Sequence, residues 1–247
     1  MSESQEDSFI SHLVELRDRL LRAVVAVVVI FVCLMPWAGD IYDILAHPMM
    51  SALPEGTKMI ATGVVTPFFV PMKVTLLVAF VIALPFVLYQ AWCFIAPGLY
   101  AHEKRLGLPL VVGSTVLFLA GMAFCYFFVF GTVFKFIAQF APKSITPAPD
   151  IEQYLAFVMS MFLAFGITFE VPVIVIVLVK LGIVDVAKLK EARPYVIVGA
   201  FVIAAVVTPP DVVSQLMLAV PMCLLYELGI FLSRFVTRTR ADEVASG

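Results

Sequence analysis

A chain of 247 residues that is 62% hydrophobic and 14% charged, with a mean hydropathy of +1.06, lies far from the soluble average and is read as a membrane protein. Its formal net charge of −2 says little about partners, since the distribution of charge matters more than its sum; no nucleic-acid footprint is visible, and no nucleic-acid partner is expected. The four cysteines, Cys33, Cys93, Cys125 and Cys223, lie in or beside apolar runs without metal-like or disulfide-like spacing, so they are read as small core residues and no metal is expected.

The segment from Met1 to Arg22 is polar and acidic ahead of the first apolar run, and no small-residue cleavage site follows that run. No removable signal peptide is expected. Phe9, Leu13, Leu16 and Leu20 recur at helical spacing, with His12, Glu15, Arg19 and Arg22 on one flank and Arg17 on the other. Residues 1–19 therefore read as a cytoplasmic interfacial helix, or as a solvated face held by pairs four residues apart, Glu15 with Arg19 and Asp18 with Arg22.

Leu20 to Ala38 is the first predicted span, long enough for a hydrocarbon core of ~30 Å at about 1.5 Å per residue. Gly39 to Pro67 is predicted as a long outer loop, stiffened by Pro48 and Pro54. Phe68 to Trp92 is the second span, which Pro85 should kink, and Lys73 near its outer end is placed to snorkel. Tyr89 to Arg105 then interrupts the apolar runs with a charged, aromatic, turn-forming loop, in which Glu103 stands beside Lys104 and Arg105.

The third span, Leu106 to Phe136, is longer than a bilayer needs, and Gly113, Gly121 and Gly131 thin its surface for close helix approach. A proline-rich outer loop, Ala138 to Gln153, leads into the fourth span, Tyr154 to Val179, which contains Glu170. After a short hinge from Lys180 to Arg193, the run from Pro194 to Val207 falls well short of the core thickness. Val212 to Leu232 returns, and the tail from Ser233 is basic, then polar, and expected to lack regular structure. The reading is all-α, with six transmembrane helices in residues 20–232, the fifth and sixth short, and a cytoplasmic tail at 233–247.

Of the sixteen Lys and Arg, all but Lys58, Lys73, Lys135 and Lys143 fall in the N-terminus, the second-to-third loop, the fourth-to-fifth loop or the tail. The positive-inside rule then puts both termini in the cytoplasm. Glu15, Phe94 and Glu103 share that face. Two carboxylates beside aromatic rings suit recognition of paired guanidinium groups, which a carboxylate accepts bidentately as it cannot accept Lys. The plainer reading is that Glu103 neutralises Lys104 and Arg105.

No His-Glu-x-x-His, Gly-x-Ser-x-Gly or phosphate loop is present, and catalysis is not expected. Glu170 needs explaining, because a carboxylate within a span costs a few kcal/mol. It is read as a proton site or water-drawing group, or as a protonated acid donating to a nearby carbonyl. Tyr126, Gln215 and Thr208 are candidates for a polar patch between helices.

Several blocks in order carry a family resemblance: His12 to Leu20 (HLVELRDRL), the Trp92 to Arg105 loop with Phe94, Pro97-Gly98-Leu99 and Glu103, Phe165 to Pro172 (FGITFEVP), and Arg193-Pro194-Tyr195 leading to Thr208-Pro209-Pro210-Asp211. From about His12 to Arg234 the chain resembles TatC, the polytopic subunit of the twin-arginine protein translocase. The resemblance implies a six-helix cup or glove that is a receptor for folded cargo bearing Arg-Arg signal peptides. It would work in the bacterial inner membrane, among its lipids, with the single-span TatA and TatB in a multimeric complex driven by the proton-motive force. It also implies a signal-peptide site at Glu15, Arg17, Phe94 and Glu103, an intramembrane acid at Glu170, partner docking near Tyr126 and Gln215, and sensitive outer positions at Pro48 and Asp211. The alternative from another class is an ion-coupled small-solute transporter using Glu170, which flux by the protein alone in liposomes would favour.

Overall fold

A computed structural model describes residues 3–51, 59–95, 104–140, 148–208 and 211–246. Among them the chain is helical almost throughout, and the β contact present is an isolated parallel bridge between Ile60 and Asp150. The helices are α1 (Glu3–Leu34), α2 (Ala38–Met50), α3 (Thr66–Ile95), α4 (Lys104–Phe124), α5 (Phe130–Phe140), α6 (Ile151–Lys180), α7 (Val186–Glu191), α8 (Arg193–Val207) and α9 (Val212–Ser246). A 3-10 turn, Met35–Trp37, joins α1 to α2, and a π-helical turn, Cys125–Val129, joins α4 to α5. Among the described residues, five stretches are long and apolar enough to cross a membrane: His12–Met50, Thr66–Ile95, Gly107–Ile137, Ile151–Lys180 and Val212–Arg234. The sixth apolar helix, α8, has 15 residues and is about 22 Å long, against a core of ~30 Å.

The chain divides into two compact units, one of Met1–Tyr42 with Pro71–Thr115 and the other of Asp43–Val70 with Val116–Gly247. In the first unit, α1 runs without a break from the polar N-terminal segment into the first span. Its apolar side chains, Val24, Val25, Val28, Val29 and Val32 among them, are exposed, as suits a helix whose solvent is lipid. Trp92 is buried near the C-terminal end of α3 and donates its indole N–H to Ser114 Oγ at 2.8 Å. That bond lets a large amphipathic ring sit wholly inside.

The second unit is organised around α6, whose buried face carries Leu155, Val158, Met161, Phe162 and Phe165. Phe130 and Phe134 pack on its rings, Phe130 against Phe162 at 5.2 Å and Phe134 against Phe157 at 5.7 Å. Small residues set the spacing here. A Cβ on Gly121 would lie 2.5 Å from the Phe165 carbonyl oxygen, and one on Gly166 would strike the Phe118 ring at 2.4 Å. Gly113 and Gly131 have nothing so near, so of the three glycines in the third span Gly121 is the one that permits a close approach. Further along, Val175, Val179, Leu189, Tyr226 and Ile230 form a second buried cluster that binds α7 and α9 to α6.

Three local expectations change. The predicted outer loop from Gly39 begins instead as helix α2, which carries Pro48 in its last turn. There the ring costs the helix a single hydrogen bond, and the helix ends two residues later at Met50. The third span is not one regular α-helix, because the π-turn adds a residue to one of its turns. Helix continues past Ser233 to Ser246 where an irregular tail is expected. Pro85, where a kink is expected, lies inside α3, which runs through it to Ile95.

Candidate functional site

The first half of α1 meets the C-terminal end of α3 within the first unit. The imidazole of His12 stacks on the Phe94 ring, with centroids 4.4 Å apart and planes 17° from parallel. One turn along α1, Glu15 accepts two hydrogen bonds from Arg19, Nε at 2.9 Å and Nη2 closer still, both on Oε1. Arg19 also lies within electrostatic reach of the Cys93 thiol, itself bonded to Tyr89 one turn earlier on α3. The i,i+4 spacing that makes Glu15 and Arg19 a pair also directs them to the flank that meets α3.

Arg17 faces elsewhere. It forks onto Oδ1 of its neighbour Asp18 at 2.8 and 3.0 Å, and its side chain is 65% exposed. Glu15 and Phe94 are thus brought into one cluster, with Arg17 on the open side of the same helix. Glu103 lies outside the described residues. Chemically, the cluster offers a half-open carboxylate, an aromatic platform and a guanidinium already in place, which is equipment for binding a cation rather than for bond making. Among the described residues, no group of three or more His, Cys, Asp or Glu is arranged to hold a metal.

Glu170 is buried inside the second unit, 7% exposed, two residues before Pro172. Thr168 beside it is also buried. Tyr126, in the π-turn, donates its hydroxyl to the Ile44 carbonyl at 3.1 Å. Its ring stacks on Phe162 with centroids 6.5 Å apart. Gln215 Nε2 donates to the Phe201 carbonyl at 3.3 Å, tying α9 to α8, and Thr208 Oγ1 donates to the Ala204 carbonyl at 2.8 Å. The expected polar patch of Tyr126, Gln215 and Thr208 is therefore three separate bonds to backbone carbonyls, because each donor finds an acceptor on its own or an adjoining helix. Pro48 lies one turn after Ile44, and Asp211 caps α9 by accepting the Ser214 N–H at 2.7 Å on Oδ1.

Two features escape a reading of the sequence. One is a polar clasp in the second unit. Asp150 Oδ2 accepts both the Thr62 hydroxyl, at 2.7 Å, and the Thr62 N–H, at 3.1 Å, while Oδ1 takes the N–H groups of Glu152 and Gln153 that open α6. These bonds, the Thr62 hydroxyl foremost, hold the Asp150 carboxyl below its usual pKa. Asp ahead of an apolar run is a legible helix cap, but its partner 88 residues away is not. The other is the Arg193 to Glu227 pair at 2.6 Å, beside a Tyr226 hydroxyl that donates to the Leu189 carbonyl at 2.8 Å. The pair ties the start of α8 to α9.

Comparison with known proteins places these geometries in context. The family model described as Sec-independent protein translocase protein (TatC) matches residues 11–221. The chain is similar to the Sec-independent protein translocase protein TatC of Escherichia coli K12, 51% identical over 235 residues, covering 95% of this chain and 91% of the relative. It is also similar to that of Haemophilus influenzae Rd, 53% identical over 241 residues, covering 98% and 94%. A crystal structure of the twin arginine translocase receptor TatC superposes with a TM-score of 0.81 at 40% identity, over 92% of this chain and 99% of that one.

Proposed function

Because this chain belongs to the TatC family of Sec-independent protein translocase proteins, we propose that it is the receptor and core subunit of a twin-arginine translocase. It is a multi-pass membrane protein of a transport system. In this reading it lies in the bacterial inner membrane with both termini in the cytoplasm. It binds the Arg-Arg signal peptides of folded cargo and gathers the single-span TatA and TatB into an export complex driven by the proton-motive force. The charge distribution supports the orientation, since the basic residues cluster on the face that carries Glu15 and Phe94.

The observation that carries the reading is the pairing of Glu15 with a forked guanidinium beside the His12 and Phe94 stack. A carboxylate that accepts one guanidinium in this way has the geometry to accept another, and partial removal from water strengthens it. Glu103 supplies the carboxylate for the second arginine, Phe94 the apolar neighbour and Arg17 the open flank. Glu170 serves transport rather than recognition. Tyr126 and Gln215 mark the surfaces where partner helices dock, and Pro48 and Asp211 are the outer positions sensitive to change.

The test is capture of an Arg-Arg signal peptide by the purified full chain in nanodiscs, against its Lys-Lys counterpart. The Glu15→Gln, Glu103→Gln double variant should lose the preference, with each charged hydrogen bond accounting for about 1.5 to 3 kcal/mol. Equal binding of both peptides by the wild type, or an unchanged isotherm in the double variant, overturns the receptor reading.

A further inference from the structure

Gln90 lies on α3 between the two places where α1 touches it. Phe94, four residues on, stacks with His12, while Cys93, three residues on, and Tyr89, one residue back, neighbour Arg19. At about 100° per residue, Phe94 stands ~40° to one side of Gln90 and Cys93 ~60° to the other, so the carboxamide occupies the middle of the face that meets α1. Trp92 points to the far side of α3, where Ser114 receives its N–H. Gln90 is 6% exposed, and its Oε1 is closed off from the surface with no described residue donating to it. A buried acceptor without a donor raises the free energy of the state that holds it, and the penalty is recovered in any state that supplies a donor.

Arg19 is the donor already packed against this face. Its guanidinium is tied to Glu15 through a single carboxylate oxygen, with Nε and Nη2 both on Oε1, in a pair exposed enough to contribute little net stability. We propose that Gln90 is a positioning residue of the signal-peptide site: when a cationic peptide takes the Glu15 carboxylate, Arg19 passes from Glu15 to the Gln90 amide oxygen. The inference rests on the receptor reading and adds to it the fate of the guanidinium that occupies Glu15 in the empty receptor. Without a second acceptor, the displaced Arg19 would face uncharged neighbours with its donors unmet. With one, it keeps a hydrogen bond on the protein side, and the orphaned oxygen gains its donor. The device sets affinity and not preference, because the same exchange follows whichever cation arrives.

The experiment measures capture of an Arg-Arg signal peptide by the full chain in nanodiscs, as a double-mutant cycle of Gln90→Met and Arg19→Met. Met keeps the length of Gln without its acceptor. Gln90→Met alone should weaken capture about fivefold, the equivalent of one hydrogen bond. The empty variant should melt no lower than the wild type, since an apolar group replaces an unmet acceptor. Arg19→Met should tighten capture, and adding Gln90→Met to it should change nothing further. Gln90→Leu and Arg19→Leu take the place of a variant that does not fold. A loss from Gln90→Met of the same size with and without Arg19 would put the amide on the peptide itself and overturn the inference. So would unchanged capture by Gln90→Met, weaker capture by Arg19→Met, or a lowered melting temperature of empty Gln90→Met, which would make Gln90 a packing residue. The receptor reading survives all of these as long as the wild type prefers Arg-Arg to Lys-Lys; a wild type without that preference overturns the receptor reading, and this inference with it.

Discussion

The hydroxyl of Tyr126 donates to the carbonyl oxygen of Ile44 at 3.1 Å, and Ile44 stands four residues before Pro48. In a regular helix that carbonyl would receive the N–H of residue 48, which proline lacks. The next carbonyl, Leu45, is met in the same way by the Tyr154 hydroxyl at 2.8 Å. Two tyrosines thus bond to the carbonyls near the end of α2, one of them at the carbonyl that the proline leaves without a backbone donor.

Tyr126→Phe is accordingly expected to lower the melting temperature in detergent. The loss should correspond to about 0.6 kcal/mol, the usual size of a side-chain hydrogen bond in a membrane protein. In a Pro48→Ala background, where the backbone supplies its own donor, the same substitution should have a smaller effect. Equal losses in the two backgrounds would show that the bond is not linked to the proline.

The clasp at Asp150 has a definite pH dependence. Asp150 is held below its usual pKa, chiefly by the Thr62 hydroxyl and then by the Gln153 N–H. A carboxyl with a folded pKa below its unfolded one stabilises the fold above the unfolded value of about 3.9, and the contribution is lost as pH falls through the folded pKa. Asp150→Asn should therefore melt below the wild type at pH 7, and the gap should close below about pH 4. A gap of constant size across that range would show that the charge on Asp150 is not what the clasp uses.

Glu170→Gln keeps volume and hydrogen bonding but removes titration, whereas Glu170→Ala removes both. If proton exchange drives its role, both variants lose export of an Arg-Arg reporter; if a polar, hydrated group suffices, the Gln variant retains most of it. Signal-peptide capture should persist in both. Wild-type export by the Ala variant would remove Glu170 from the transport step.

Reporters fused after Lys58, Lys143 or Asp211 should read as outside, and those after Arg105, Lys190 or Arg240 as inside, because the basic residues gather on one side. Detection of residue 103 from the outer face of intact cells would invert the arrangement.

The spans are legible because a bilayer demands long apolar runs, and Phe68 to Trp92 or Tyr154 to Val179 have no other use for so many Val, Leu and Phe. Ends are less legible. Pro48 reads as loop, since nothing near it in sequence reveals that Tyr126 and Tyr154 will take the carbonyls at that helix end. In the site, Glu15 with Arg19 is visible from a spacing of four, while the His12 and Phe94 stack joins residues 82 positions apart and is not. Tyr126, Gln215 and Thr208 look like one patch because polar groups in an apolar chain seem to need one another. Backbone carbonyls satisfied them individually instead.

The π-turn at Cys125–Val129 acts as a phase correction in the third span. Each residue of an α-helix advances the side-chain direction by about 100°, so one inserted residue rotates all that follows by that angle. With the extra residue present, Phe130 faces Phe162 and Phe157, and Phe134 faces Tyr154. The wider turn takes up that residue locally; regular α pitch through the same residues would turn both rings away from these neighbours, whereas deleting one residue between 125 and 129 should convert the turn to α-helix and leave the rings facing the core.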